Sequence, residues 1–82
     1  MPYISAETKI AIDERGMKAV RNAGDLNYLI TTQLIRFWER DKRYLTICII
    51  IGTLVCAAFE FYRRVAAKYE DEKIKQNGDV YP

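Results

Sequence analysis

The chain has 82 residues, half of them apolar and 29% charged, with 13 Lys or Arg against 11 Asp or Glu and a formal net charge of +2. This composition suits one small helical domain whose core is marginal by itself, and it excludes both disorder and a polybasic nucleic-acid module. Histidine is absent, which removes the commonest general base and the commonest metal ligand together. In chain order, MPYISAETK opens polar, without the apolar core of a signal peptide. The first helix is expected over about residues 5–23, with Ser5 as its cap. Ile10, Met17 and Val20 form a thin stripe on it, and Gly16 weakens it. Gly24-Asp25 reads as a stop followed by a start, glycine just past one helix and aspartate capping the next.

The second helix is expected over about 26–40. Leu26, Leu29, Ile30, Leu34 and Phe37 repeat at three and four, and Tyr28, Ile35 and Trp38 widen that apolar face. Glu39 to Arg43 is a charged joint. The third helix is expected over about 44–75. Its first half is apolar almost all round, and its second half is amphipathic, with Tyr62, Ala66, Tyr69 and Lys73 on one face and Glu60–Arg64 as an i,i+4 pair. Asn77-Gly78 ends it and residues 77–82 form a polar tail. The expected organisation is one all-α domain over 1–82, three helices packed as a homo-oligomer around the long third one.

Cys48 and Cys56 lie in the apolar run, roughly 12 Å apart along a helix axis. That spacing rules out a mutual disulfide, and without histidine they make no zinc site. They are expected to be small buried side chains. No metal and no cofactor is expected.

The run itself, LTICIIIGTLVCAAFEF from Leu45 to Phe61, has two readings. Leu45 to Phe59 reaches roughly 22 Å at helical rise, short of the roughly 30 Å of hydrocarbon in a bilayer. Basic residues flank both ends, so they give no orientation. Length therefore favours a core helix; the apolar face of the second helix offers it a partner, and the cover still lacking is expected from further copies of the chain in the cytoplasm. The alternative is a single inner-membrane span over about 44–61.

Several blocks carry a resemblance. MPYI opens the chain, GDLNYLIT follows at Gly24 to Thr31, IGTLVCAAFEFYRR at Ile51 to Arg64, and YEDEKIKQNGDVY at Tyr69 to Tyr81. In that order they resemble an uncharacterised family of short all-helical bacterial and phage-encoded proteins. The resemblance covers most of the chain from Gly24 onward together with the first four residues. It implies a soluble helical fold and brings no established activity. This chain departs from the family pattern at Val55 and Ala58, where the middle helix is more polar in the family.

No Gly-rich phosphate loop, zinc-protease signature or nucleophile elbow is present. Glu70, Asp71 and Glu72 read as a solvated stretch rather than a Mg²⁺ site, so an enzyme is not expected and there is no catalytic residue to name. A binding protein is better motivated. Arg63 and Arg64 offer guanidinium forks for phosphate, Tyr62 and Tyr69 offer rings for stacking, and Asn77 offers an amide for a base edge. Against that stand plainer roles: ion pairs of the arginines with Glu60 and Glu70, and tyrosines that line a helix interface. Asn27 and Tyr28 lie in the first turn of the second helix, where Asn27 satisfies a loop carbonyl or faces a pocket between subunits. Val80 and Tyr81 are placed to dock on a neighbouring subunit.

The functional expectation is a small non-enzymatic oligomeric binding protein. Its sharpest form is a phage-type anti-defence sponge that sequesters an anionic nucleotide, a cyclic signal of host defence. The warrant is analogy of class. The alternatives are the single-span membrane protein and a structural or protein-interaction module without a small ligand. Duplex nucleic acid is not an expected partner.

Overall fold

The computed structural model describes residues 4–82, and all regular structure in it is helical. The chain divides into two compact units, one up to Thr46 and one from Ile47 to Pro82.

The first unit opens with α1 (Ala6–Arg15). Ser5 is extended, and its hydroxyl oxygen accepts the Thr8 N–H at 3.1 Å, so the expected cap is present. The helix is shorter than its sequence suggests. Gly16 adopts φ 64° and ψ −136°, a conformation that a Cβ disfavours, and α1 stops there rather than near Ala23. One 3-10 turn, Gly16–Ala19, follows, and Val20 is extended. Met17 and Val20 therefore lie beyond the helix whose stripe they were expected to share. Ile12 and Ala19, 1% and 8% exposed, close together the small core of this unit.

The second helix, α2 (Ala23–Arg40), begins earlier than Gly24-Asp25 implies. Its cap is Asn22, whose side-chain oxygen accepts the Asp25 N–H at 2.9 Å. Gly24 is the second residue of this helix, not the stop of the first, and Asp25 is the third, not the cap. The Asp25 carboxylate folds back and accepts the Arg21 N–H at 3.1 Å. Two polar side chains thus serve opposite sides of one helix start, the logic of a capping box written with Asn and Asp. Aspartate is as good a cap as asparagine, so residue type alone does not choose between Asp25 and Asn22. The choice falls on Asn22 because its extended backbone lies where the helix can begin.

The third helix, α3, runs Tyr44–Asn77, 34 residues. It is α-helical over Tyr44–Phe61, widens into a π turn at Tyr62–Ala66, and resumes as α-helix over Ala67–Asn77. Gly78, at φ 85°, donates its N–H to the Ile74 carbonyl at 2.8 Å and ends the helix, as Asn77-Gly78 suggests.

The apolar run of α3 lies bare. From Tyr44 to Phe61 only Thr46 is buried, while Ile51 is 57% and Phe59 72% exposed. Cys48 and Cys56 are exposed in the single chain too. The apolar side of α2 is open as well: Leu26, Ile30, Ile35 and Phe37 are each exposed.

Candidate functional site

The candidate residues fall in three places. Asn27 and Tyr28 belong to α2. The Asn27 side-chain oxygen accepts from the Thr31 hydroxyl at 3.0 Å, one turn on, which gives it a bond within its own helix rather than to a loop. The Tyr28 hydroxyl donates to both carboxylate oxygens of Asp13, at 3.0 and 3.1 Å, and so ties α2 to α1. Partial desolvation, then the bond to Asp13, raise the Tyr28 phenol above its ordinary value. This residue is a strut in the described chain.

Tyr62, Arg63 and Arg64 sit in the π turn, where the Ala67 N–H reaches back to the Tyr62 carbonyl. Such a turn adds one residue to the helix, and π turns gather at functional sites. The extra residue rotates everything after it by about 100° relative to an unbroken α-helix. Tyr62 then lines up with Glu70 instead of Tyr69. Its hydroxyl donates to the Glu70 carboxylate at 2.6 Å. That bond, followed by the Glu70 charge, raises the Tyr62 phenol. Both tyrosines remain protonated at neutral pH and act as donors, not as bases. Arg63 pairs with Glu60 at 2.8 Å, one turn back, and Arg64 bonds the same carboxylate oxygen. Two guanidinium groups thus share one carboxylate, all at exposed positions, leaving the cluster with one surplus positive charge. The Glu60–Arg64 pair is the one the sequence spacing predicts; Arg63 uses Glu60 as well.

Tyr69 and Asn77 meet in the third place. They line a groove of about 420 Å³ with Lys73, Val80 and Tyr81, against the C-terminal turns of α3. The Lys73 ammonium lies over the Tyr69 ring, 5.5 Å from its centre. The tail bends because the Asp79 side chain accepts the Tyr81 N–H at 2.9 Å, a local turn that asparagine and aspartate favour. Glu70 and Asp79 also line the groove, so its formal charge with Lys73 is one negative. Lys73 joins the expected Tyr69 and Asn77 in this groove as a further contact. Lys73 follows Tyr69 at i+4, and that spacing is the signal that finds it. Val80 and Tyr81 reach this groove of their own chain.

Among the described residues no three of His, Cys, Asp and Glu gather as a metal-ligand set. The chemistry on offer is recognition of flat rings and of charge.

A family model described as a domain of unknown function, DUF6899, matches residues 1–80, and the chain belongs to that family. No curated protein and no solved structure matches the chain.

Proposed function

We propose that this member of the DUF6899 family is a non-enzymatic binding module that works as a homo-oligomer, with the apolar run of α3 buried between copies. The observation that carries this is the bareness of α3 from Tyr44 to Phe61, where one residue alone is buried. Fully burying a single Ile or Phe side chain contributes about 1.5–3 kcal/mol, so a run of this length is strongly driven to find cover. A bilayer is one cover. It accounts for α3 but leaves the open side of α2, on a helix that carries Arg36, Glu39 and Arg40, without a partner. A second copy brings an amphipathic helix and an apolar helix at once, and can cover both. This comparison favours self-assembly over a membrane span.

A second reading, that the assembled protein holds an anionic nucleotide, is supported by the groove at the end of α3 for the base alone, since Glu70 and Asp79 leave that groove one negative charge and oppose a phosphate. Tyr69 and Tyr81 supply ring faces there, Lys73 a cation and Asn77 an amide. Base stacking on an aromatic side chain is worth about 1–3 kcal/mol, and it tolerates any base. The Arg63–Arg64 pair adds one surplus positive charge for phosphate, in competition with Glu60.

Light scattering on the full chain, purified without detergent, tests the first reading. We expect a single multiple of the 9.6 kDa chain mass. A stable 9.6 kDa species in water overturns the proposal, and so does protein that enters solution only with detergent or lipid. A thermal-shift screen of linear and cyclic nucleotides tests the second. We expect a stabilising nucleotide whose effect is lost in Tyr69→Ala and reduced in Arg63→Ala. A screen without any shift leaves a structural module with no small ligand.

A further inference from the structure

The first unit holds a second cavity, of about 260 Å³, that no candidate residue lines. Three cationic side chains, Arg15, Lys18 and Arg21, open onto it, with Thr8 and one carboxylate, Glu7. The fold creates this convergence. Gly16 breaks α1 and the 3-10 turn reverses the chain, so Lys18 and Arg21 come back beside Thr8. The sequence spaces these residues over fourteen positions, Thr8 to Arg21, and as one continuous helix they would not close a cavity.

One feature separates this cluster from an ordinary solvated surface. Arg21 is oriented before any ligand arrives. Its Nε donates to Asp25 at 3.4 Å and a terminal nitrogen donates to the Thr8 hydroxyl at 3.4 Å. Asp25 is itself 1% exposed, so the anchor is fixed. A guanidinium carries five N–H donors, and two such bonds leave others for a ligand. Arg15 and Lys18 have no carboxylate within ion-pair distance among the described residues, which holds for most of the chain's Lys and Arg side chains, but these two converge with Arg21 on one cavity. The cluster therefore carries an uncompensated charge. Counting Glu7 and Asp25 against the three cations leaves one positive charge at the cavity. Like charges brought together repel, and an anion seated among them removes that cost.

We propose that this cavity binds a small phosphate-bearing anion, with Arg15 and Lys18 as its charge contacts and Arg21 as the fixed donor. Guanidinium forks match tetrahedral phosphate oxygens, and an ammonium adds a point charge. The cavity has room for more than one phosphate group, so pyrophosphate or a compact phosphomonoester fits its size and charge better than a bulky polyanion. Glu7 opposes such a ligand and sets a limit on affinity. The site shares no residue with the apolar run of α3 or with the groove at Tyr69, and it does not rest on either reading of the function.

Isothermal titration of the full chain with inorganic phosphate, pyrophosphate and glycerol 3-phosphate tests it. We expect saturable binding of at least one, at one ligand per chain, weakened tenfold or more in Arg15→Ala and in Lys18→Glu. Arg15 and Lys18 are exposed, so both variants keep the fold, which circular dichroism verifies. Glu7→Gln should tighten binding severalfold, an effect in the opposite direction that a general loss of structure cannot mimic. Binding should weaken as salt rises. Absence of binding by all three anions overturns the proposal. So does binding that Arg15→Ala, Lys18→Glu and Glu7→Gln leave unchanged. Vesicles of phosphatidic acid form a separate arm: sedimentation with them that depends on Lys18, without binding of any free anion, also overturns it in favour of a lipid surface.

Discussion

Ile51→Glu should reduce the proposed assembly to single chains. Ile51 lies midway along the bare run, 57% exposed, and the single chain supplies no cover for it. In an assembly it becomes an interface residue. Removing its side chain from a buried interface forfeits about 1.5–3 kcal/mol per copy. A buried, unpaired carboxylate adds a desolvation cost of at least several kcal/mol unless it takes up a proton. At about 1.4 kcal/mol per tenfold in affinity, loss of only 3 kcal/mol weakens association by about a hundredfold. Ile51→Val removes one methyl and should cost far less, about 0.5–1.5 kcal/mol. Light scattering at fixed protomer concentration reads both. An unchanged mass for Ile51→Glu means the run does not form the interface. The helical signal of the glutamate variant matters as well. Since Ile51 has little to lose within its own chain, a helix that survives dissociation separates a failed interface from a failed fold.

The sequence makes the helices legible to different degrees, and the reason is local. Leu26 to Phe37 and Leu45 to Phe59 repeat apolar residues strongly enough for the existence of α2 and α3 to follow from periodicity. Gly78 marks the end of α3 because a helix ends readily on a glycine at positive φ, and it takes φ 85°. Gly16 carries the same signal, yet the apolar residues after it, Met17 and Val20, continue a helical spacing and mask the break. The shift from Asp25 to Asn22 as the cap turns on backbone φ and ψ at one residue, which composition does not encode. The π turn is harder still. Nothing in YRRVA departs from helical propensity, so the extra residue that moves Tyr62 from Tyr69 to Glu70 leaves no mark in the sequence. At the candidate site, the Glu60–Arg64 bond and the Tyr69–Lys73 ring contact are both i,i+4 pairs that the spacing gives, whereas the sharing of one Glu60 oxygen between Arg63 and Arg64 needed the backbone. The cationic cavity depends wholly on the Gly16 reversal and was out of reach of periodicity.

Asp25→Ala should destabilise the protein by about 2–3 kcal/mol, a large share of the total for a chain whose stability is about 0.05–0.15 kcal/mol per residue. Asp25 is 1% exposed and accepts two bonds from Arg21, one from its backbone N–H and one from its guanidinium. Hydrogen bonds to a charged group contribute about 1.5–3 kcal/mol. Its negative charge also sits in the first turn of α2, where the helix dipole favours it by about 0.3–1 kcal/mol. The sum stays below the 3–5 kcal/mol typical of a severed buried ion pair because the Arg21 side chain is 70% exposed and regains water once Asp25 is gone. What cannot regain water as readily is the Arg21 backbone N–H, held against the start of α2. Asp25→Asn keeps an oxygen for that N–H and should cost less than half as much. Thermal melts followed by circular dichroism, at one protomer concentration because the proposed assembly would add to apparent stability, compare the three proteins. A 2–3 kcal/mol loss corresponds to a fall in Tm of about 10 °C or more for a chain of this size. An alanine variant within a degree or two of the parent would mean that Asn22 alone holds the start of α2. In that case the Arg21 anchor in the cationic cavity would owe nothing to Asp25.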